Sequence, residues 1–236
     1  MNTWIQFAVG LTTSYLIATL SESYMHRAIG HAGARTRRYW ARHPRLCGFL
    51  TRAHYRHAVV HHGLTYARDH VTQFLDESDK ARVDAILKPR GDWLIEKERY
   101  GLTIHLRGVL TFNAIALPMP PVLFWLCGPI ACLSALPVPI AVPLLSMFIH
   151  PYLHLPHEDA VRQAPRPLAV LLRTRYCRAL ARHHYVHHVY QRFNFNLLMG
   201  GDWLLGTYRQ ASPDDLLAME AIGIPTHEPR RAPPAC

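Results

Sequence analysis

The sequence predicts an all-α integral membrane protein with about three transmembrane helices, an anchor plus a hairpin, and a helical, histidine-rich cytosolic cap. Three observations carry this reading. Residues 1–21 and 108–149 contain no Lys, Arg, Asp or Glu. Every charged side chain and all 17 histidines fall in the two remaining blocks, 22–107 and 150–236. Those histidines recur at intervals of three, four or five residues, the spacing of a helix face. A soluble chain spreads charge along each surface segment, because each must meet water. Long uncharged stretches set apart from the charge are the pattern of membrane spans.

The elements follow in order. Thr3–Leu20 is apolar apart from small hydroxyls, Gln6 and Tyr15. As a helix it is about 27 Å long, close to the hydrocarbon thickness. It can run on through Ser21–Ile29, with Gly30 as its stop, since glycine tolerates the left-handed cap. Gln73–Leu87 and Trp93–Tyr100 read as soluble or interfacial helices. Gly108–Leu126 and Pro129–Ile149 form a hairpin that turns at Cys127-Gly128-Pro129, or alternatively at Leu136–Pro139. Pro118, Pro120 and Pro121 would kink its first helix, and Pro137, Pro139 and Pro143 would bend the second. Residues 1–210 form one domain and 211–236 a C-terminal tail, loose in its Pro-rich end.

An anchor followed by a hairpin returns both charged blocks to the same side. The 26 Lys and Arg against 16 Asp and Glu make that side basic, hence cytoplasmic. In a bacterium the membrane would be the inner one. The N-terminus lacks the basic region and cleavage site of a signal peptide, so the first span reads as a retained anchor. Cys47, Cys127, Cys132, Cys177 and Cys236 form no CxxC pair and read as reduced thiols or apolar fillers. Nothing matches a nucleic-acid-binding motif, and no nucleic-acid partner is expected.

Four histidine clusters stand out: His26 and His31 (HX4H); His57, His61 and His62 (HX3HH); His150 and His154 (HX3H); and His184, His187 and His188 (HX2HH). On α-helices His150 and His154 would converge on one point, as would His184, His187 and His188. His57 and His61 would do the same, with His62 turned toward a neighbouring site. His26 and His31 are about 140° apart on an ideal helix, so they converge only if the helix ends between them. Ten imidazoles suit two metals with about five each. Imidazole accepts Fe, Zn, Cu and Ni alike, so ligand type alone does not name the metal. The isolated His54, His70, His105 and His227 read as solvated or packed side chains.

The cluster series resembles the fatty acid hydroxylase/sterol desaturase superfamily of membrane di-iron enzymes. After His188 come Asn194-Phe195-Asn196 and then Gly201-Asp202-Trp203-Leu204-Leu205-Gly206-Thr207-Tyr208. These resemble the family's Asn-Phe-Gly and Asp-x-Leu-x-Gly-Thr elements, with Asn196 in place of the glycine. The resemblance covers roughly residues 20 to 210. It implies ten ligands to two irons: His26, His31, His57, His61, His62, His150, His154, His184, His187 and His188. Asn194 takes the family's post-histidine asparagine position, with a ligand-orienting role. The resemblance also implies O2 as co-substrate and electrons from a separate redox partner. The Arg-rich face from Arg27 to Arg107 suits an acidic ferredoxin-type donor.

The reaction so implied is hydroxylation of a C–H bond in a lipid or other apolar substrate. The alternative within the superfamily is desaturation with the same metals. A non-catalytic metal-binding or metal-transporting protein is a third reading. It is disfavoured because transporters place polar ligands within their spans, and here the spans are almost devoid of them.

Overall fold

The computed structural model describes residues 1–90, 99–102, 108, 110, 111 and 113–226. Every regular element among them is helical. The expected helix Trp93–Tyr100 falls mostly outside the described residues, as do His105 and His227.

Helix α1 (Thr3–Met25) starts on Asn2, whose side-chain oxygen accepts from the Trp4 amide at 2.9 Å, and it continues into a π-helical turn, His26–Gly30. Helix α1 therefore extends into the histidine region, as the sequence suggests. After α2 (Ala34–Arg42) and α3 (Pro44–His54) comes a longer π-helix, Tyr55–Thr65. Helix α4 (Glu77–Leu87) begins later than the expected Gln73, because Asp76 caps it by accepting from the Asp79 amide at 2.8 Å.

The second apolar block departs further from expectation. Residues 113–118 form turns, and α5 (Met119–Cys127) is only nine residues long. Pro118, Pro120 and Pro121 do not kink a long helix; they surround the start of a short one, where a missing N–H costs nothing. At a rise of about 1.5 Å per residue, α5 is too short to cross a bilayer. The turn lies at Gly128 (φ 102°). Helix α6 then runs from Pro129 to Leu153, bent but continuous through Pro137 and Pro139. Where three crossings were expected, α6 is the one helix among the described residues that is long and apolar enough to span a membrane.

Helices α1 and α6 cross closely. A Cβ on Gly10 would run into the Ala131 carbonyl, and Ser14 Oγ donates to the Ala135 carbonyl at 2.6 Å. Their outward sides are apolar: Trp4, Ile5 and Phe7 on α1, Trp125 and Leu126 on α5, and Leu133, Ile140 and Phe148 on α6 are exposed. Such a large exposed apolar surface marks a membrane or partner contact.

The main core lies beyond this layer. Around α9 (Arg175–Val189) pack the end of α6, α7 (His157–Gln163), α8 (Arg166–Leu172) and α11 (Pro213–Ala221). Leu180, Val186, Met219 and Ile224 are fully buried there. This corrects the boundary at residue 211. Residues 213–224 are folded onto the core, with a Ser212–Asp215 capping box starting α11, and residues 227–236 lie outside the described set. The short helix α10 (Gly201–Leu204) packs against α1.

Candidate metal centre

Two groups of convergent imidazoles occupy the space between the α1 end, the Tyr55–Thr65 π-helix, the α6 end and α9. The first holds His26, His31, His57 and His187, and the second His61, His154, His184 and His188. Within each group the potential ligand nitrogens lie within 4.8 Å of one another. All eight belong to the ten sequence-predicted ligands. His62 and His150 flank the groups. His62 Nε2 is 3.2 Å from His57 Nε2, and the His150 ring is 4.7 Å from that of His184 and 5.0 Å from that of His154.

The partition differs from the one helical spacing suggests. His62, not His61, sides with His57, and His187 leaves His184 and His188 for the first group. Backbone winding explains the first exchange. In a π-helix hydrogen bonds run i→i+5, so residues five apart stack as residues four apart do in an α-helix. His57 and His62 are five apart on such a segment. The same device joins His26 to His31: the helix does not end between them but widens, and the His31 amide bonds the His26 carbonyl at 3.2 Å. Gly30 also leaves room for the rings, since a Cβ there would sit 2.8 Å from His57 Cδ2 and 2.9 Å from His26 Cδ2. On α9, His187 and His188 diverge by about 100°, so that one helix serves both groups.

The rings meet nitrogen to nitrogen. Nε2–Nε2 separations are 2.7 Å for His26–His57, 3.0 Å for His31–His57 and 3.2 Å for His31–His187. In the second group they are 2.9 Å for His154–His184 and 3.1 Å for His61–His188. Two nitrogens bound at right angles to one metal, each about 2.1 Å away, would be about 3 Å apart. For four of the ten histidines the other ring nitrogen is engaged behind the cage, whereas Nδ1 of His61 and of His62 is buried without a hydrogen-bond partner. His26 Nδ1 donates to the Phe195 carbonyl, His187 Nδ1 to Phe193 (2.8 Å), His154 Nδ1 to His70 (2.8 Å) and His150 Nδ1 to Leu102 (3.2 Å). Each bond puts the proton on Nδ1 and leaves Nε2 with a free lone pair, as a metal ligand requires.

Burial, and after it the neighbouring imidazoles, hold these rings neutral. His26 and His31 are lowered to about 3, and His57, His61, His62, His154, His184, His187 and His188 lie well below the ordinary imidazole range. An all-imidazole, neutral, buried donor set is one that a divalent transition metal fits.

A polar clasp presents the two loop carbonyls that hold His26 and His187. Asn194 does not reach a cage histidine by any hydrogen bond. Its side chain pairs with the backbone of Arg209, donating to the carbonyl (3.0 Å) and accepting from the amide (2.7 Å). It thereby fixes the loop between Phe193 and Phe195, an orienting role rather than a catalytic contact. Asn194 and Met199 take the left-handed backbone conformation, whereas Asn196 does not, so the expected glycine is not needed at 196. Asp202 accepts from His183 Nε2 (3.2 Å), the Asn196 amide (2.9 Å) and Thr207 Oγ1 (2.7 Å). Glu22 accepts from the Leu197 and Leu198 amides at 2.9 and 3.1 Å. His54 Nδ1 donates to the Gly30 carbonyl at 2.9 Å.

Sequence reasoning assigns no role to Glu22, His54 or His183. The position of Glu22, four residues before His26 on a helix, is the available signal. His70 is buried against the second group rather than apart from it. Compared with protein-family models, with curated proteins and with solved structures, the chain finds no match in any of the three.

Proposed function

We propose that this chain is a membrane-bound, non-haem di-iron oxygenase of the fatty acid hydroxylase/sterol desaturase type, hydroxylating a C–H bond of a lipid or other apolar substrate. The observation that carries the reading is the pair of adjacent all-imidazole groups, His26/His31/His57/His187 and His61/His154/His184/His188. With His62 and His150 each group would have five imidazoles. No carboxylate joins either group among the described residues, which disfavours a hydrolytic metal site of the mixed His-carboxylate kind. Iron bound there would supply O2 activation, with electrons from a separate ferredoxin-like partner docking on the basic face.

The chain's own residues would do the rest. The loop carbonyls of Phe193 and Phe195 orient His187 and His26. The Phe195 ring packs 5.5 Å from His26 and from His187 and would cover that side of the first group. An apolar groove of about 480 Å³, lined by Tyr15, Leu16, Tyr176, Leu198, Trp203 and Leu204, opens beside α1, three residues along the loop from Phe195. It is open to the outside and no cage histidine lines it, but its apolar lining is the kind an apolar substrate would contact. Helices α1, α5 and α6 would form the embedded layer, with both charged blocks on the cytoplasmic face.

The test is metal content followed by oxygen stoichiometry. Purified protein from iron-replete cells is expected to hold two irons per chain and to consume O2 when supplied with a reductant and a lipid extract. A product carrying one heavy oxygen from labelled O2 supports hydroxylation, and loss of two hydrogens without label indicates desaturation. One zinc and no iron would refute the oxygenase.

A further inference from the structure

We propose that His70 is a further metal-binding imidazole of the second group, engaging a cation there through Nδ1. The inference rests on the reading of the two groups as metal sites and adds to that reading a residue outside the four motifs. His70 lies eight residues beyond His62 and belongs to no cluster in the sequence.

Three observations place it. The side chain is 2% exposed. Its Nε2 donates to the Leu153 carbonyl at 2.7 Å, which puts the ring proton on Nε2 and leaves Nδ1 with a lone pair. That Nδ1 is buried and has no hydrogen-bond partner. A buried acceptor without a donor costs free energy unless something occupies it. Nδ1 of His61 and of His62 is also unpartnered, but their Nε2 atoms face neighbouring imidazoles. The Nε2 of His70 is instead spent on Leu153, and only Nδ1 is left to bind.

The surroundings say what. The His70 ring centroid is 4.6 Å from His154, 4.9 Å from His188 and 5.2 Å from His184. His150, a motif histidine that like His70 flanks the four-ring group, stands at comparable distances: 5.0 Å from His154, 4.7 Å from His184 and 5.2 Å from His61. The two residues have opposite tautomers, His150 held through Nδ1 and His70 through Nε2. The attachment is also reciprocal. The backbone carbonyl of His70 accepts from His154 Nδ1 at 2.8 Å, while the His70 ring holds the carbonyl of Leu153. The loop after the Tyr55–Thr65 π-helix is thus fastened to the end of α6 at the ligand itself. The ligand class is a divalent transition metal that accepts imidazole, such as Fe, Co, Ni, Cu or Zn. With His150 and His70 the second group would offer six imidazoles to a metal, against five offered by the first with His62.

The experiment uses Co2+ as the probe. The full-length protein in detergent, stripped of metal, is titrated with Co2+ against a competing chelator, and the visible absorption of each bound equivalent is recorded. Wild type is expected to bind two equivalents. His70→Phe, which keeps the ring volume, is expected to weaken one of them by about 10- to 100-fold and to alter its spectrum. The affected step should be the one that His154→Ala removes. His70→Gln retains an amide donor for the Leu153 carbonyl and decides the matter if the Phe variant lacks native helix content. Two unchanged steps with unchanged spectra in the folded variant would overturn the assignment while leaving the metal sites standing. Failure of the wild type to bind Co2+ at either group would overturn both.

Discussion

The two histidine groups are neighbours built on different supports. In the first, three of the four residues are partly exposed, and only His187 is fully buried. Its members come from a π-helical turn, a longer π-helix and α9, and two of them lean on carbonyls of the 193–195 loop. In the second, three of four are buried, and His154 is tied to the backbone at His70. The first is therefore the group whose geometry a loop can adjust and which solvent can reach. The second is set by packed helices. A metal pair held this way would have one adaptable and one rigid member.

The comparison breaks most sharply if a ligand is removed from each side. His31→Ala should lower metal affinity at the first group by at least about 100-fold and leave the second loaded. His154→Ala should do the converse. His187→Ala should empty the first group although it lies next to His188, and His61→Ala should empty the second although it lies next to His62. Activity should be lost in all four. Metal content per chain, with the exposed His43→Ala as control, checks this. Loss of both metals in every variant would mean that the groups form one inseparable unit.

Acid gives the next effect. The cage imidazoles titrate far below an ordinary imidazole of about 6.5, because burial disfavours their charged form. In the unfolded chain these groups take up protons near pH 6.5, whereas in the folded metal-free chain they stay neutral until about pH 3 or below. The unfolded state therefore binds more protons across that window, and stability falls as pH falls. Metal-free protein should be stable above pH 7 and unfold steeply between about pH 6 and 4, as denaturant midpoints at stepped pH will show. Bound metal should move that transition to lower pH. A flat profile across this range would contradict neutral, buried cages.

Much of this was legible in the sequence, and the remainder failed for identifiable reasons. The helical class, the α1 boundary near Gly30, the turn at Gly128 and the gathering of eight of the ten motif histidines into two groups follow from charge-free stretches and histidine spacing. The partition of the ligands does not, because spacing converts to direction through the α-helical period, and the backbone at His26–Gly30 and Tyr55–Thr65 is π-helical. The prolines around Met119 read as kinks in the sequence because composition shows only an apolar run, not where a helix begins. His70 and Glu22 escape because their partners, Leu153 and the Leu197–Leu198 amides, lie 83 residues from the first and 175 or 176 from the second. Contacts of that range leave no local pattern.

The clasp behind the first group offers a middle-sized effect. Asp202 collects three donors: His183, the Asn196 amide and Thr207. Asp202→Asn keeps one oxygen acceptor and adds an amide that cannot accept. One or two buried donors then lose their partner, at about 1–3 kcal/mol each. Thermal unfolding should register that loss. The first group's metal affinity should fall with it, because the loop carrying the Phe193 and Phe195 carbonyls is fixed by the same carboxylate. The second group, which takes nothing from this loop, should keep its affinity.

The smallest expected effect separates the groups most cleanly. Gly30 closes the π-helical turn between His26 and His31, and it has no positive φ to protect, so an alanine there is not strained by its backbone. What it meets is the cage itself: His57 Cδ2 at 2.8 Å and His26 Cδ2 at 2.9 Å. Both contacts are shorter than carbon atoms tolerate, and both partners are ring edges rather than flexible tips, so the rings must shift by a few tenths of an ångström. Ligand rings displaced that little still bind metal, but off their preferred geometry. Gly30→Ala should therefore lower affinity at the first group severalfold, change the spectrum of metal bound there and leave the second group's affinity unaltered. Because alanine also favours helix by about 1 kcal/mol over glycine, global stability should change little or rise. A stability loss with both metal sites equally weakened would mean that Gly30 serves the fold and not the cage, and that the adaptable group is as rigidly built as its neighbour.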